Sequence, residues 1–202
     1  MKTITVSSPQ PREGKTTTSI YLGTVIAQSG QKVLLVDSDL RKPRLHKAMG
    51  VSRNIGLSSL IVGNAELEDA IKTTDIPNLY VLPSGPQPPN PAEILLTNRF
   101  DEILEKLEER FDFVLFDSPP LLAVTDGVVL ARKTDGVLMV AQAGKTNIDD
   151  AKQATRLLRE VDATVLGVIL NDMDLSDRRY YYYYSYGYAY QDDNANESAK
   201  PS

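Results

Sequence analysis

Short apolar runs rich in β-branched residues punctuate the chain. They are Thr3–Ser8, Lys32–Asp37, Phe113–Asp117, Gly136–Ala141 and Val165–Asn171. Continuous runs of this kind suit strands buried on both faces of a parallel sheet. Asn78–Pro83 adds a sixth expected strand. Helical spacing lies between them. Leu22, Val25 and Ile26 recur one turn apart, and Gly30 supplies a stop. Phe100, Ile103, Leu104, Leu107 and Phe111 mark one apolar helix face, and residues 149–161 form another amphipathic stretch. Asn90-Pro91-Ala92-Glu93 reads as a helix start, with Asn as N-cap, Pro in the first turn and Glu three residues on. Strands alternating with helices predict an α/β fold: a doubly wound, mostly parallel sheet with helices on both faces.

The pattern breaks after residue 175. Residues 180–190 hold eight tyrosines, Tyr180, Tyr181, Tyr182, Tyr183, Tyr184, Tyr186, Tyr188 and Tyr190, of ten in the chain. Gln191 to Ser202 is polar. The expected organisation is one domain over residues 1–175 and a flexible tyrosine-rich tail over 176–202. A hydrophobic fraction of 42% and a charged fraction of 24% are ordinary for a globular domain. A net charge of −5 argues against a nucleic-acid partner. The absence of cysteine excludes thiol chemistry and disulfides, and a single histidine, His46, argues against a His-based metal site or a Ser-His-Asp triad.

The chemistry gathers behind the strands. Thr3–Ser8 leads through a Pro-containing loop into Gly14-Lys15-Thr16 and then a helix. A lone Gly-Lys-Thr is as easily a surface turn, but strand, loop and helix together form the context of a P-loop. Loop amides and a helix N-terminus favour an anion, Lys15 can reach terminal phosphates, and the Thr16 hydroxyl can ligate magnesium. Pro11, Arg12, Glu13, Gly14, Lys15, Thr16 and Thr17 are the expected ATP-binding loop. Asp37 and Asp39 follow the second strand, and Asp117 ends another. Each alone could simply cap a helix. Three beside one P-loop can hold a magnesium ion and orient or deprotonate an attacking hydroxyl, which is what phosphoryl transfer requires. Lys15, Asp37 and Asp39 are therefore the candidate catalytic residues, with Thr16, Asp39 and Asp117 as metal ligands. Asn171, ending the last strand, is either an adenine contact or a turn residue. Arg41 and Arg44 suit a phosphate, a neighbouring subunit or a solvated turn. The tyrosine run is either a sticky low-complexity tail or a set of phosphate acceptors, and a phosphoryl-transfer site in the same chain favours acceptors.

These residues resemble the bacterial tyrosine kinases of capsule and exopolysaccharide systems. Pro11-Arg12-Glu13-Gly14-Lys15-Thr16-Thr17 is similar to their Walker A loop, with Arg12 where they carry Gly. Val36-Asp37-Ser38-Asp39-Leu40-Arg41-Lys42-Pro43 resembles the Walker A′ segment, and Phe116-Asp117-Ser118-Pro119-Pro120 the Walker B segment. Gly56-Leu57-Ser58, residues 89–95 and Val124-Thr125-Asp126 are also family-like, and the tyrosine cluster is the most specific feature. The resemblance implies a P-loop NTPase fold and an autokinase that moves the ATP γ-phosphate to tail tyrosines, largely between subunits of a ring. It assigns phosphate binding to Lys15, magnesium to Thr16, Asp39 and Asp117, and the incoming tyrosine hydroxyl to Asp37. It also implies a membrane-embedded activator of the polysaccharide chain-length-regulator type, other tyrosine-bearing protein substrates, and a cytoplasmic protein recruited to the inner face of the plasma membrane. The family's ring-building Glu-x-x-Arg-x-x-Arg segment is not among these residues. An excised catalytic domain, a different assembly and a naturally short chain remain as readings.

Two other functions compete. One is a ParA/MinD-like ATPase switch, a group whose loop carries a second Lys where this chain has Gln10, and Gly where it has Pro11 and Arg12. The other is a nucleotide-binding adaptor with little turnover.

Overall fold

The computed structural model describes residues 1–174. The chain runs β1 (Thr3–Ser7), α1 (Lys15–Gln28), β2 (Val33–Asp37), α2 (Leu45–Ala48), α3 (Leu57–Ile61), α4 (Leu67–Ala70), β3 (Lys72–Thr73) and β4 (Leu79–Leu82). It continues α5 (Pro91–Leu95), α6 (Asn98–Arg110), β5 (Phe113–Asp117), α7 (Asp126–Lys133), β6 (Gly136–Gln142), α8 (Ile148–Glu160) and β7 (Val165–Asn171). The strands form one sheet in the order β3-β4-β2-β5-β1-β6-β7. Every pairing is parallel except β3 with β4. All six expected strands are present. The seventh, β3, is two residues long and carries no periodic signal.

Alternation along the strands sorts the core into layers. Leu34, Val36 and Phe116 point to one side, where they meet Phe100, Leu104 and Leu107 of α6. The Phe100 and Phe116 rings meet edge to face with centroids 6.3 Å apart. Val33, Leu35 and Leu115 point to the other side, toward α1. The α6 face lies as its spacing predicts.

On α1 the structure corrects the sequence reading. The helix exists, but Val25 is exposed and Leu22 and Ile26 are only partly buried. Its buried positions are Ser19, Gly23 and Ala27, with Lys15 at the start. A Cβ on Gly23 would stand 2.7 Å from Leu35 Cδ2. The helix lies so low on the sheet that only small side chains fit beneath it, and the larger apolar residues flank the contact. At α5 the expected start is observed, yet Asn90 Nδ2 donates to Glu93 Oε2 at 2.8 Å instead of the Asn side chain capping a backbone amide.

This topology positions the site. The parallel strands β1, β2 and β5 all end on the same side, where loops and helix N-termini face a crevice. Asp37 and Asp117 stand opposite one another as the last paired residues of β2 and β5. Val6 of β1 pairs with Asp117 on its other flank.

Candidate active site

The loop from β1 to α1 is held in one shape from behind. Arg12 has φ 66° and Gly14 φ 102°, both left-handed. Arg12 thus keeps the backbone conformation that glycine adopts without strain, at a cost of roughly 1 kcal/mol. At Gly14 a side chain has no room: a Cβ would lie 2.0 Å from Asn171 Nδ2. Gln10 N donates to Glu13 Oε2 at 2.8 Å, and Thr146 Oγ1 donates to Glu13 Oε1 at 2.5 Å. Asn171 Nδ2 donates to the Glu13 carbonyl at 3.1 Å. The Glu13 carboxylate and the Asn171 amide nitrogen, on two residues expected to bind ATP, thus brace the loop from within.

Lys15 opens α1 with its ammonium donating to Ser8 Oγ at 3.2 Å. Burial pushes its pKa down, against the pull of Asp117, Asp39 and Glu13. Thr16 Oγ1 donates to Asp117 Oδ2 at 2.7 Å, tying the loop to the end of β5. Asp117 is itself fixed through its carbonyl, which accepts from Ser38 N at 2.9 Å and Ser38 Oγ at 2.8 Å. Burial pushes the Asp117 carboxyl up to about 7, against the opposing hydrogen bond from Thr16 and the charge of Lys15. Asp37 is fully buried. Its Oδ2 accepts from Leu45 N at 3.1 Å, and burial, with the nearby Asp117 charge, pushes it up to about 8. His46 Nδ1 lies 4.0 Å from Asp37 Oδ2, too far for a hydrogen bond, and burial lowers the pKa of its ring.

Asp37 Oδ1 and Asp117 Oδ1 are buried with no hydrogen-bond partner. Two carboxylate oxygens in that condition, beside the Thr16 hydroxyl, are an invitation to a hard cation. Among the described residues no three His, Cys, Asp or Glu side chains converge into a metal cage. A set of one hydroxyl and few carboxylates fits magnesium, which keeps water and substrate oxygens in its shell. Asp39, part-exposed at the cleft, accepts from Lys42 N at 2.9 Å.

A cleft of about 1180 Å³ opens in front of these groups, large enough for a nucleotide and more. Pro11, Arg12, Gly14, Lys15, Thr16 and Thr17 line one wall, and Asp39 and Asp117 contribute to the floor. Arg41, Lys42, Arg44 and Lys47, on the segment after β2, also line the cleft. Arg41 is committed: its guanidinium grips Asp126 at the start of α7 through Nε to Oδ2 at 2.6 Å and Nη2 to Oδ1 at 3.1 Å. This fork anchors the segment after Asp39, and the sequence reading missed Asp126 as its partner. Thr146, 133 residues from Glu13, was equally silent. The eight tyrosines lie outside the described residues.

Residues 1–171 match the family described as an AAA domain. The tyrosine-protein kinase YwqD of Bacillus subtilis is 40% identical over 181 residues, which cover 90% of this chain and 76% of YwqD. The chain belongs to the bacterial tyrosine kinases. The crystal structure of the chimerical protein CapA2B2 superposes with a TM-score of 0.83 at 37% identity, over 85% of this kinase and 76% of that chain. The septum site-determining protein MinD of Pyrococcus horikoshii, complexed with Mg-ADP, superposes at 0.74 with 29% identity, over 88% of this chain and 72% of MinD. MinD shares the P-loop fold, and its likeness places this kinase in a nucleotide-binding group. Among the described residues no helix is long and apolar enough to cross a membrane.

Proposed function

We propose that this kinase is an ATP-dependent autokinase that phosphorylates the tyrosines of its own 180–190 cluster, between subunits, and so regulates polysaccharide synthesis or export. The reading rests on one observation above all: Asp37 and Asp117 end neighbouring strands in register, each with an unpartnered oxygen, beside Lys15 and Thr16. The amides of residues 11–17 would cradle the phosphates, with Lys15 on the terminal ones. Asn171 would meet adenine with whatever capacity its amide retains beyond the Glu13 carbonyl. Thr16, Asp39 and Asp117 would hold magnesium, which neutralises charge on the phosphates. In the transfer, the bond from the tyrosine oxygen to the γ-phosphorus forms as the β–γ bridge breaks and ADP leaves. Asp37 would take the phenolic proton. Burial raises Asp37 to about 8 in the nucleotide-free protein, so it must first shed its proton, after which it is a stronger base than an exposed carboxylate.

The kinase domain of residues 1–175 would act on a tail of residues 176–202. A homo-oligomer would bring one subunit's tail to another's site. A membrane-embedded chain-length-regulator-type activator would recruit the protein to the inner face of the plasma membrane, where other tyrosine-bearing proteins are further substrates. A MinD-like switch has less support, because Gln10 replaces its second loop lysine and such a switch has no use for eight clustered tyrosines.

The test is mass spectrometry of the tail after incubation with ATP and magnesium, with and without the cytoplasmic segment of a candidate activator. Phosphotyrosine within 180–190 is expected in the native chain and absent in Lys15→Met. Equal labelling in Lys15→Met would remove the P-loop assignment. ATP binding without any tyrosine phosphate, in both conditions, would favour the adaptor.

A further inference from the structure

The part of the cleft lining that follows β2 carries more positive charge than its partners absorb. Lys42, Arg44 and Lys47 are exposed along it, and Arg12 is exposed at the near edge. Among the described residues none of these four joins an ion pair, in contrast to Arg41. Arg44 stands near enough to Lys15 to depress its pKa, so the positive rim runs into the phosphate pocket. Of the two acids on the floor, Asp117 is buried and bonded to Thr16, which leaves Asp39 to face the rim. A positive mouth on a chain of net charge −5 is a local asymmetry that selects what enters.

The tyrosine segment is itself asymmetric. Arg178-Arg179 immediately precede Tyr180, with Asp177 behind them, whereas Asp192-Asp193 follow Tyr190 by two and three residues. A tyrosine seated at the γ-phosphate brings its neighbours against the rim. The acid-flanked end is attracted there and the arginine-flanked end is repelled.

Building on the autokinase reading above, we propose that Lys42, Arg44 and Lys47 form a subsite for anionic residues flanking the acceptor, so that phosphorylation of the cluster starts at Tyr190 and Tyr188 and advances toward Tyr180. Each transfer moves a phosphoryl group from ATP to a tyrosine oxygen, releasing ADP and a proton. Each product carries a charge near −2, so the next tyrosine upstream acquires an anionic flank in its turn. The rim therefore gives the reaction a direction that one acidic pair starts and the product sustains. Exposed charge pairs of this kind discriminate by about three- to tenfold when two or three act together, and salt weakens them.

The experiment follows positional occupancy in the full-length chain by mass spectrometry, at substoichiometric ATP, low salt and early times. Phosphate at Tyr188 and Tyr190 is expected to exceed that at Tyr180 and Tyr181 by about threefold or more. A charge-swapped tail, Arg178→Asp, Arg179→Asp, Asp192→Arg and Asp193→Arg, is expected to reverse the order. Lys42→Glu with Lys47→Glu is expected to flatten it. Uniform labelling, or labelling that begins at Tyr180 in the native chain, overturns the subsite and leaves the kinase intact. Labelling that begins at Tyr190 in native and swapped tails alike also overturns it, since position rather than charge then sets the order. No tyrosine phosphate at all removes the autokinase reading, and the subsite with it.

Discussion

Asp37→Asn should make the nucleotide-free protein more stable while stopping phosphoryl transfer. The Asp37 carboxyl is raised from 3.8 to about 8, first by burial and then by the charge of Asp117. Between those values the unfolded chain is ionised at this position and the folded chain is not. Folding takes up a proton there, so the contribution is intact below pH 4 and is lost as pH rises toward 8. The slope is about 1.4 kcal/mol per pH unit, which accumulates to about 4 kcal/mol at pH 7. Asparagine keeps an acceptor for Leu45 N but buries an amide donor with no partner, returning about 1–2 kcal/mol. The net gain is about 2–3 kcal/mol at pH 7 and near zero at pH 5. For a chain of this size that is a rise in Tm of about 5–10 °C at neutral pH. Thermal denaturation of both proteins, without nucleotide or magnesium and stepped from pH 5 to pH 8, checks it. The variant's advantage should widen with pH. A constant offset across that range, or a variant less stable at pH 7.5, would refute the account of Asp37 as a buried, uncompensated carboxyl. ATP binding should survive the change, because residues 11–17 build the phosphate wall and Asp37 is not part of it.

Two further outcomes test the scaffold. Gly14→Ala is expected to weaken ATP binding at least tenfold, because it adds a side chain at φ 102° and drives a Cβ against Asn171; isothermal titration with ATP and magnesium measures the loss, and wild-type affinity would contradict it. Arg41→Ala is expected to cost about 1–3 kcal/mol in urea unfolding at neutral pH, since it leaves the buried Asp126 carboxylate unpaired, and adding Asp126→Asn should recover most of that loss.

Much of this architecture was legible because parallel strands advertise themselves. Val33–Asp37 and Phe113–Asp117 are buried on both faces, so their apolar runs are unbroken and the terminal Asp stands out. The doubly wound rule then brings those acids and Lys15 to one crevice although they are far apart in sequence. What the sequence hid depends on close approach. The depth of α1 on the sheet is a packing outcome, which leaves Val25 exposed and sets Gly23 against Leu35. The bracing of the loop was equally hidden: Glu13 meets Gln10 N and a hydroxyl from the β6–α8 loop, and Asn171 meets a backbone carbonyl. Arg41 and Asp126 are 85 residues apart and meet only after the sheet has formed.

The clasp between Asn171 and the Glu13 carbonyl has a mechanical meaning. β7 is an edge strand, held in the sheet by β6 alone, and Asn171 is its last residue. The polypeptide leading to the tyrosines continues directly from it. The Asn171 carbonyl accepts from Ala143 N at 2.8 Å while its side chain holds the Glu13 carbonyl, so one residue ties the end of the sheet to the brace of the phosphate loop. The edge of the sheet and the shape of the phosphate loop thus share a single amide, and a shift in either is passed to the other.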